Sequence, residues 1–246
     1  GQYKVVPFFN DRFKKIKAKA KKYINRNHMT LLMRQFGTAA NAEPIIKNSM
    51  LPVHNFTCGN HPKAINITGP KIKENHKTSY HTCKPCSILC GHKGLFNGEQ
   101  VNVPEYETLA LLGSNLGVFD PNDISRFNEI CNKKGMDTIS AGGTLAWAME
   151  ANQKGLIKTD LEFGDTEKIV KALENIANLE GFGKHLAMGS RTLSEKFGGK
   201  DFAIQVKGLE MAGYDPRGAY GQGLGYAVAN RGACHLSSFP ISFENF

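Results

Sequence analysis

No stretch of this 246-residue chain approaches the roughly 20 consecutive apolar residues that a membrane-spanning helix requires, and the N-terminal end lacks the apolar core of a secretory signal. The cytoplasm is therefore the expected location, with no membrane partner. Cysteine is scarce: six in so long a chain, unevenly spaced, do not make a secreted disulfide scaffold, so they are read as reduced thiols open to metal. The charge is basic, with 31 Lys and Arg against 22 Asp and Glu, yet no aromatic or glycine-rich binding module accompanies the lysines, which argues against a nucleic-acid partner. What remains is globular: 41% hydrophobic content over this length supports one or two packed domains.

Three of the six cysteines stand together in Tyr80-His-Thr-Cys-Lys-Pro-Cys-Ser-Ile-Leu-Cys-Gly-His92, where Cys83, Cys86 and Cys90 are separated by two and then three residues. Thiolates this dense on one loop can converge on one metal centre, and iron–sulfur clusters normally take four such ligands. Cys58, Cys131, Cys234 and His92 are the candidates for a fourth, unless it lies outside the chain. Four readings compete: an iron–sulfur cluster, a zinc knuckle closed by His92, a redox pair of Cys83 and Cys86, or unrelated thiols. The redox pair is the weaker, because no βαβ unit surrounds it.

The rest of the pattern predicts an all-α, multihelical fold with Gly-rich loops and at most short isolated strands. Asp120 and Pro121 open a helix whose stripe of Ile124, Phe127, Ile130 and Cys131 stops at Gly135. Further helices are expected over residues 140–154, from 165 to before Gly181, and over 184–197, with one short strand over 202–206. Near the N-terminus, Phe13, Ile16, Ala20, Tyr23 and Ile24 recur at spacings of three and four among six lysines, an amphipathic helix with a basic outer face. A solvated face is the ordinary reading; a basic surface beside a redox centre would also steer an acidic electron carrier. Segments 59–79 and 214–235 lack helical periodicity and read as loops. The second, with glycines at 218, 221, 223, 225 and 232 and Arg217, Asn230, Arg231 and His235, suits close backbone approach to a bulky ligand or a tight turn system equally well.

Several blocks in order, Pro104-Glu-Tyr-Glu-Thr, Leu112-Gly-Ser-Asn-Leu-Gly117, Cys131 through Gly143, Tyr214-Asp-Pro-Arg-Gly218 and Gly223 through His235, resemble the tungsten-containing aldehyde:ferredoxin oxidoreductase family. The resemblance covers most of the chain from about residue 35 onward. It implies a tungsten (or molybdenum) ion held by two pterins, a neighbouring 4Fe-4S cluster, and oxidation of an aldehyde to a carboxylate with electrons leaving to ferredoxin or a similar acidic carrier. It also implies Cys83, Cys86 and Cys90 as cluster ligands, Glu107 and His235 as the catalytic pair, and Asn132, Met136, Asp137 and Arg231 as pterin contacts.

Some positions depart from the family pattern. Asn132 and Ser237 stand where the family has an aspartate and often a lysine, and Arg126 replaces the glutamate of a Glu-x-x-His motif that joins two subunits through iron. The resemblance further implies a β-rich domain and a fourth cluster cysteine outside this sequence, so it reads as an internal piece: residues 1–200 as a helical domain carrying the Cys loop, and 201–246 as the start of a further helical domain with the Gly-rich pterin loop. The missing parts would come from the same protein or a partner chain. Reduction of an aromatic ring, as in related benzoyl-CoA reductase subunits, and a non-catalytic metal-binding subunit are the alternatives.

Overall fold

A computed structural model of the protein describes residues 10–244. The chain begins with α1 (Asp11–Arg26) and α2 (His28–Phe36), passes through a 3-10 turn into α3 (Ala42–Lys47), and after a second 3-10 turn enters α4 (Gly69–His76). A small antiparallel sheet follows, with β1 (Ser79–Tyr80), β2 (His92–Phe96) and β3 (Glu99–Asn102) in that spatial order. The remainder is helical: α5 (Tyr106–Thr108), α6 (Pro121–Lys134), α7 (Thr138–Gln153), α8 (Thr166–Asn178), α9 (Gly183–Leu186) and α10 (Gly189–Phe197). The hairpin β4 (Gln205–Val206) and β5 (Leu209–Glu210) then leads to α11 (Tyr220–Val228) and the single turn α12 (Ile241–Glu244). Among the described residues no helix is long and apolar enough to cross a membrane.

The multihelical expectation holds, and the best-marked helices form as their caps require. Asp120 accepts from Asn122 N at 2.9 Å to start α6, which ends on Gly135 at φ +69°. Asp165 accepts from Lys168 N at 3.2 Å to start α8. The centre of the fold is α7, buried along most of its length from Ala141 to Ala151, with Trp147 fully enclosed and its Nε1 donating to Gly199 O at 3.2 Å. A helix that is apolar all round must be surrounded by the others. The buried cluster continues past the hairpin to Ala212, Tyr214, Tyr226 and Ile241.

Four expectations change. Segment 59–79 is not a loop: His61 Nδ1 accepts from Lys63 N, and Pro62 and Pro70 each open a helical turn, so α4 forms with too few residues to show periodicity. Segment 214–235 contains α11 despite three glycines within it, because the missing side chains let the helix close on Pro216 and Ser238, while the Glu244 carboxylate accepts from Gly221 N and Gln222 N at its first turn. The helix expected over 184–197 is split by Gly189 at φ +81° into α9 and α10. Of the strand expected over 202–206 only Gln205 and Val206 pair. Near the N-terminus the amphipathic helix is present as α1, but none of its residues is buried.

Helix α7 crosses the chain after Glu107 so closely that a Cβ on Gly142 would lie 2.4 Å from Leu111 O and 2.5 Å from Leu111 C. Alanine in a helix interior ordinarily gains up to about 1 kcal/mol over glycine. Here the obstacle is backbone, so Gly142→Ala is expected to destabilise instead, by about 1–3 kcal/mol, read as a lowered urea midpoint.

Candidate functional site

Glu107 sits in the single turn α5, which runs directly into a π-helical turn, Leu109–Gly113, a rare local geometry that often accompanies functional positions. The turn is pinned on three sides. Tyr106 N donates to Thr38 Oγ1 at 2.9 Å, the Tyr106 hydroxyl donates to Gly213 O, and Thr108 Oγ1 meets Thr138 Oγ1 at 2.9 Å at the start of α7. Gly213 N in turn donates to Glu107 Oε2 at 2.7 Å. A Cβ on Gly213 would stand 2.7 Å from Ala110 Cβ and 3.3 Å from Glu107 Oε2, so the approach needs glycine.

His235 reaches the same point from the loop after α11. That loop rests on the β4–β5 hairpin: a Cβ on Gly232 would lie 2.1 Å from Val206 O, and Lys207 Nζ donates to Ala229 O at 2.8 Å. The segment is fixed further upstream by the buried Asp215, which accepts from Arg217 N and from its guanidinium. The result is His235 Nε2 at 3.7 Å from Glu107 Oε1, an oxygen that is buried and has no hydrogen-bond partner. Tyr214 stacks obliquely between Tyr106 and His235, with ring centroids at 5.2 Å and 6.0 Å.

Burial shifts both members of the pair toward their neutral forms. Burial pushes the Glu107 carboxyl up to about 7; the Gly213 N–H and the Tyr214 hydroxyl pull it down, and Asp137 pushes it up. Burial holds His235 below its ordinary value, helped by Arg231 and opposed by Asp137. Both shifts favour the neutral forms, and 3.7 Å is longer than a hydrogen bond. Asp137 and Arg231, though exposed themselves, thus act electrostatically on this pair. Asp137 uses Oδ1 to cap α7 through Ser140 N at 2.7 Å. Met136 packs against the edge of the core and its N donates to Cys131 O at 2.9 Å.

Cys83, Cys86 and Cys90 form a second neighbourhood beside β1 and β2. Cys83 and Cys90 line a cavity of about 470 Å³ together with Asn132, Glu105, Asn102 and Asn128. Cys86 Sγ accepts from Leu89 N at 3.5 Å, and backbone N–H groups of Leu89 and Ile88 with the Thr82 hydroxyl lower its pKa. Burial raises Cys90, and Glu105, Cys86 and Cys83 add to the rise. Among the described residues no three His, Cys, Asp or Glu side chains are already gathered as a metal site. The donor set still suits a cluster: three neighbouring thiols on one loop, one with the N–H support that favours a thiolate. The local candidates for a fourth ligand do not join them. His92 Nδ1 and Nε2 are aimed at carbonyl oxygens, Cys90 O at 2.9 Å and Arg34 O at 3.0 Å, and not at the thiols, and Cys131 is buried in the core with its thiol pushed up to about 12.

The two neighbourhoods are bridged where α6 passes into α7: Asn132, in the last turn of α6, lines the cavity with Cys83 and Cys90, and Asp137, the N-cap of α7, acts electrostatically on the carboxyl–imidazole pair. Tyr106, Tyr214 and Tyr226, three buried tyrosines electrostatically coupled to Glu107, had no sequence signal of their own beyond lying in the blocks quoted above.

Residues 15–246 match a family described as aldehyde ferredoxin oxidoreductase, domains 2 & 3. The chain is 41% identical over 218 residues to the tungsten-containing aldehyde ferredoxin oxidoreductase of Pyrococcus furiosus, covering 85% of this chain and 36% of that protein. The aliphatic sulfonate oxidoreductase WOR-like subunit of the same organism is 34% identical over 166 residues, 62% of this chain and 27% of that one. Among solved structures, the active site complex BamBC of benzoyl coenzyme A reductase with 1,5-dienoyl-CoA shares the fold, with a TM-score of 0.57 and 20% identity over 70% of this chain and 28% of that one. These matches define an oxidoreductase family. The chain belongs to it, the aldehyde ferredoxin oxidoreductases, and spans about a third of the length of the curated relatives it matches.

Where a Glu-x-x-His motif joins subunits in the family pattern, the Arg126 guanidinium is bound by both carboxylate oxygens of Glu167, tying α6 to the start of α8 within the chain.

Because the folded Glu107 carboxyl keeps its proton to about 7 while an unfolded one releases it near 4.5, the stability it contributes is complete below about 4.5 and is lost as pH rises through about 7. His235 shifts in the opposite sense, and Asp137 and the three tyrosines face the same carboxyl, so the comparison must be with a variant that changes Glu107 alone. Glu107→Gln is expected to lose less stability between pH 5 and pH 8 than the parent, by about 2–3 kcal/mol, in paired urea titrations.

Proposed function

We propose that the chain is the part of a tungstopterin oxidoreductase that supplies the carboxyl–imidazole pair and three cluster thiols, and that the complete enzyme oxidises an aldehyde. The reaction balances as RCHO plus H2O giving RCOOH, two protons and two electrons. The supporting observation is Glu107: one oxygen is held by Gly213 N, the other is buried without a partner and faces His235, and its proton affinity is set near neutrality. A group poised there can take and return protons efficiently.

In this reading Glu107 Oε1 receives the proton of the water that attacks the aldehyde carbon. His235, neutral over the same pH range, hydrogen-bonds the substrate oxygen through its ring N–H, and the enclosing tyrosines keep bulk water from competing. Cys83, Cys86 and Cys90 would hold the 4Fe-4S cluster with a fourth ligand from elsewhere in the protein or from a partner chain. Asn132, Met136, Asp137 and Arg231 would meet the pterins, with the uncapped Asp137 oxygen accepting from ring N–H groups and Arg231 reaching phosphate. When bound, the metal–pterin group would supply the two-electron redox chemistry of the oxidation, with the cluster as the route for electrons to ferredoxin. Molybdenum in place of tungsten would use the same residues. The division at residue 200 into a second domain and the opening of a third belongs to this reading.

Two substitutions in the complete enzyme test it. Glu107→Gln is expected to lower kcat for aldehyde oxidation by about 100- to 10,000-fold with tungsten and iron contents unchanged; retention of full activity would refute the assignment. In the parent enzyme kcat/KM should rise with pH and level off above about 7, as the Glu107 carboxylate forms. Cys86→Ser should lower iron per chain. Reduction of an aromatic thioester without aldehyde oxidation would instead indicate the ring-reducing reading, and iron without either activity a non-catalytic subunit.

A further inference from the structure

Helix α1 carries two parallel stripes. Arg12, Lys15, Lys19, Lys22 and Arg26 follow one another at intervals of three and four, so five cations share one face over about 21 Å. Phe13, Ile16, Ala20 and Tyr23 follow the same intervals one residue later and lie alongside. None of the helix is buried, and Tyr23 is 75% exposed. Among the described residues the five cations have no carboxylate partner; the ion pair on this helix is Lys14 with Asp11, at 3.4 Å on another face. Where α1 turns into α2, Lys19, Lys22, Tyr23, Arg26, Asn27 and His28 line a notch of about 600 Å³.

The helix is tied to the cysteine loop. Arg34 Nη2, on α2, donates both to Asn25 Oδ1 of α1 and to Ser87 O between Cys86 and Cys90, each at 2.6 Å, while Arg34 O faces His92 Nε2 at 3.0 Å. One guanidinium nitrogen therefore holds the end of the basic helix against the loop that presents the three thiols. Lys84, exposed within that loop, adds a further positive charge on the loop itself.

We propose that the Arg12–Arg26 stripe of α1 and its notch form the docking surface for an acidic one-electron carrier protein, bringing it to the cysteine loop. The inference rests on the oxidoreductase reading above and adds where the acceptor lands. Five unpaired cations over an apolar edge suit a surface of carboxylates around a small apolar patch: the charges set orientation and encounter rate, and the apolar stripe gives the contact a short-lived hold. An anionic membrane would also attract such a helix. The tie through Arg34 favours a protein, because it fixes the end of the stripe to the loop that presents the thiols, which matters to an electron carrier and not to a lipid.

The test uses the complete holoenzyme, an aldehyde, and two acceptors: a net-negative ferredoxin and a small cationic viologen dye. Lys19→Glu, Lys22→Glu and Arg26→Glu combined should raise KM for ferredoxin at low ionic strength at least tenfold and flatten its rise with added salt, leaving viologen kinetics unchanged. The corresponding Gln variant, which removes charge without reversing it, should give a smaller rise in the same direction. Lys14→Glu with Lys21→Glu, on another face, should leave KM for ferredoxin within about twofold. An unchanged ferredoxin KM and salt profile in both triple variants overturns the proposal, as does binding of phosphatidylglycerol vesicles that the triple variants lose without any change toward ferredoxin. Absence of aldehyde oxidation with viologen in the parent enzyme would be a failure of the oxidoreductase reading instead.

Discussion

A carboxyl and an imidazole enclosed side by side, each shifted by burial toward its neutral form, are the arrangement around which the rest of this structure is organised. Taking Glu107 out of water disfavours its charge, and the Gly213 N–H with the Tyr214 hydroxyl offsets only part of that cost. The carboxyl is held by chain segments that come from far apart in sequence. The turn carrying it is anchored by Thr38 on one side and by α7 on the other, and the Gly213 approach tolerates no side chain. Loosening any of these contacts would let water in and return Glu107 toward an ordinary carboxylate.

The corner between α6 and α7 gives the site its second dimension. Within it Asn132 faces the cavity shared with Cys83 and Cys90, and Asp137 shifts the titration of both Glu107 and His235. Two well-capped helices meeting at a short turn set the spacing between these side chains. Asn132, Asp137 and Arg231 are exposed while Glu107 is largely enclosed, so a polar rim surrounds a pair that burial shifts toward its neutral forms. The same logic of tying by single hydrogen bonds recurs at Arg34, which links the basic α1 to the thiol loop.

Much of the fold was legible where local signals were strong. Asp120 with Pro121, Gly135 and Asp165 mark helix ends by their own chemistry, and the structure places those ends within a residue or two. Legibility failed where a segment was too short for periodicity, as in α4, or where glycine reads as a breaker, as in α11, whose closeness to Pro216 and Ser238 only packing reveals. The split between α9 and α10 at Gly189 belongs to the same class: Glu210 Oε1 lies 3.1 Å from where its Cβ would be, on a strand that no local signal places there.

The sequence by itself determined the helical class, the thiol loop, the basic stripe and the residues to suspect, because helix caps, periodicity and ligand spacing are properties of neighbours along the chain. Tertiary structure decided what those residues can do. It left His92 facing two carbonyl oxygens, took Cys131 into the core, and brought His235 within 3.7 Å of Glu107 across 128 positions of sequence. Desolvation, which sets the charge state of that pair, depends on everything packed around a group, and no local stretch of sequence encodes it.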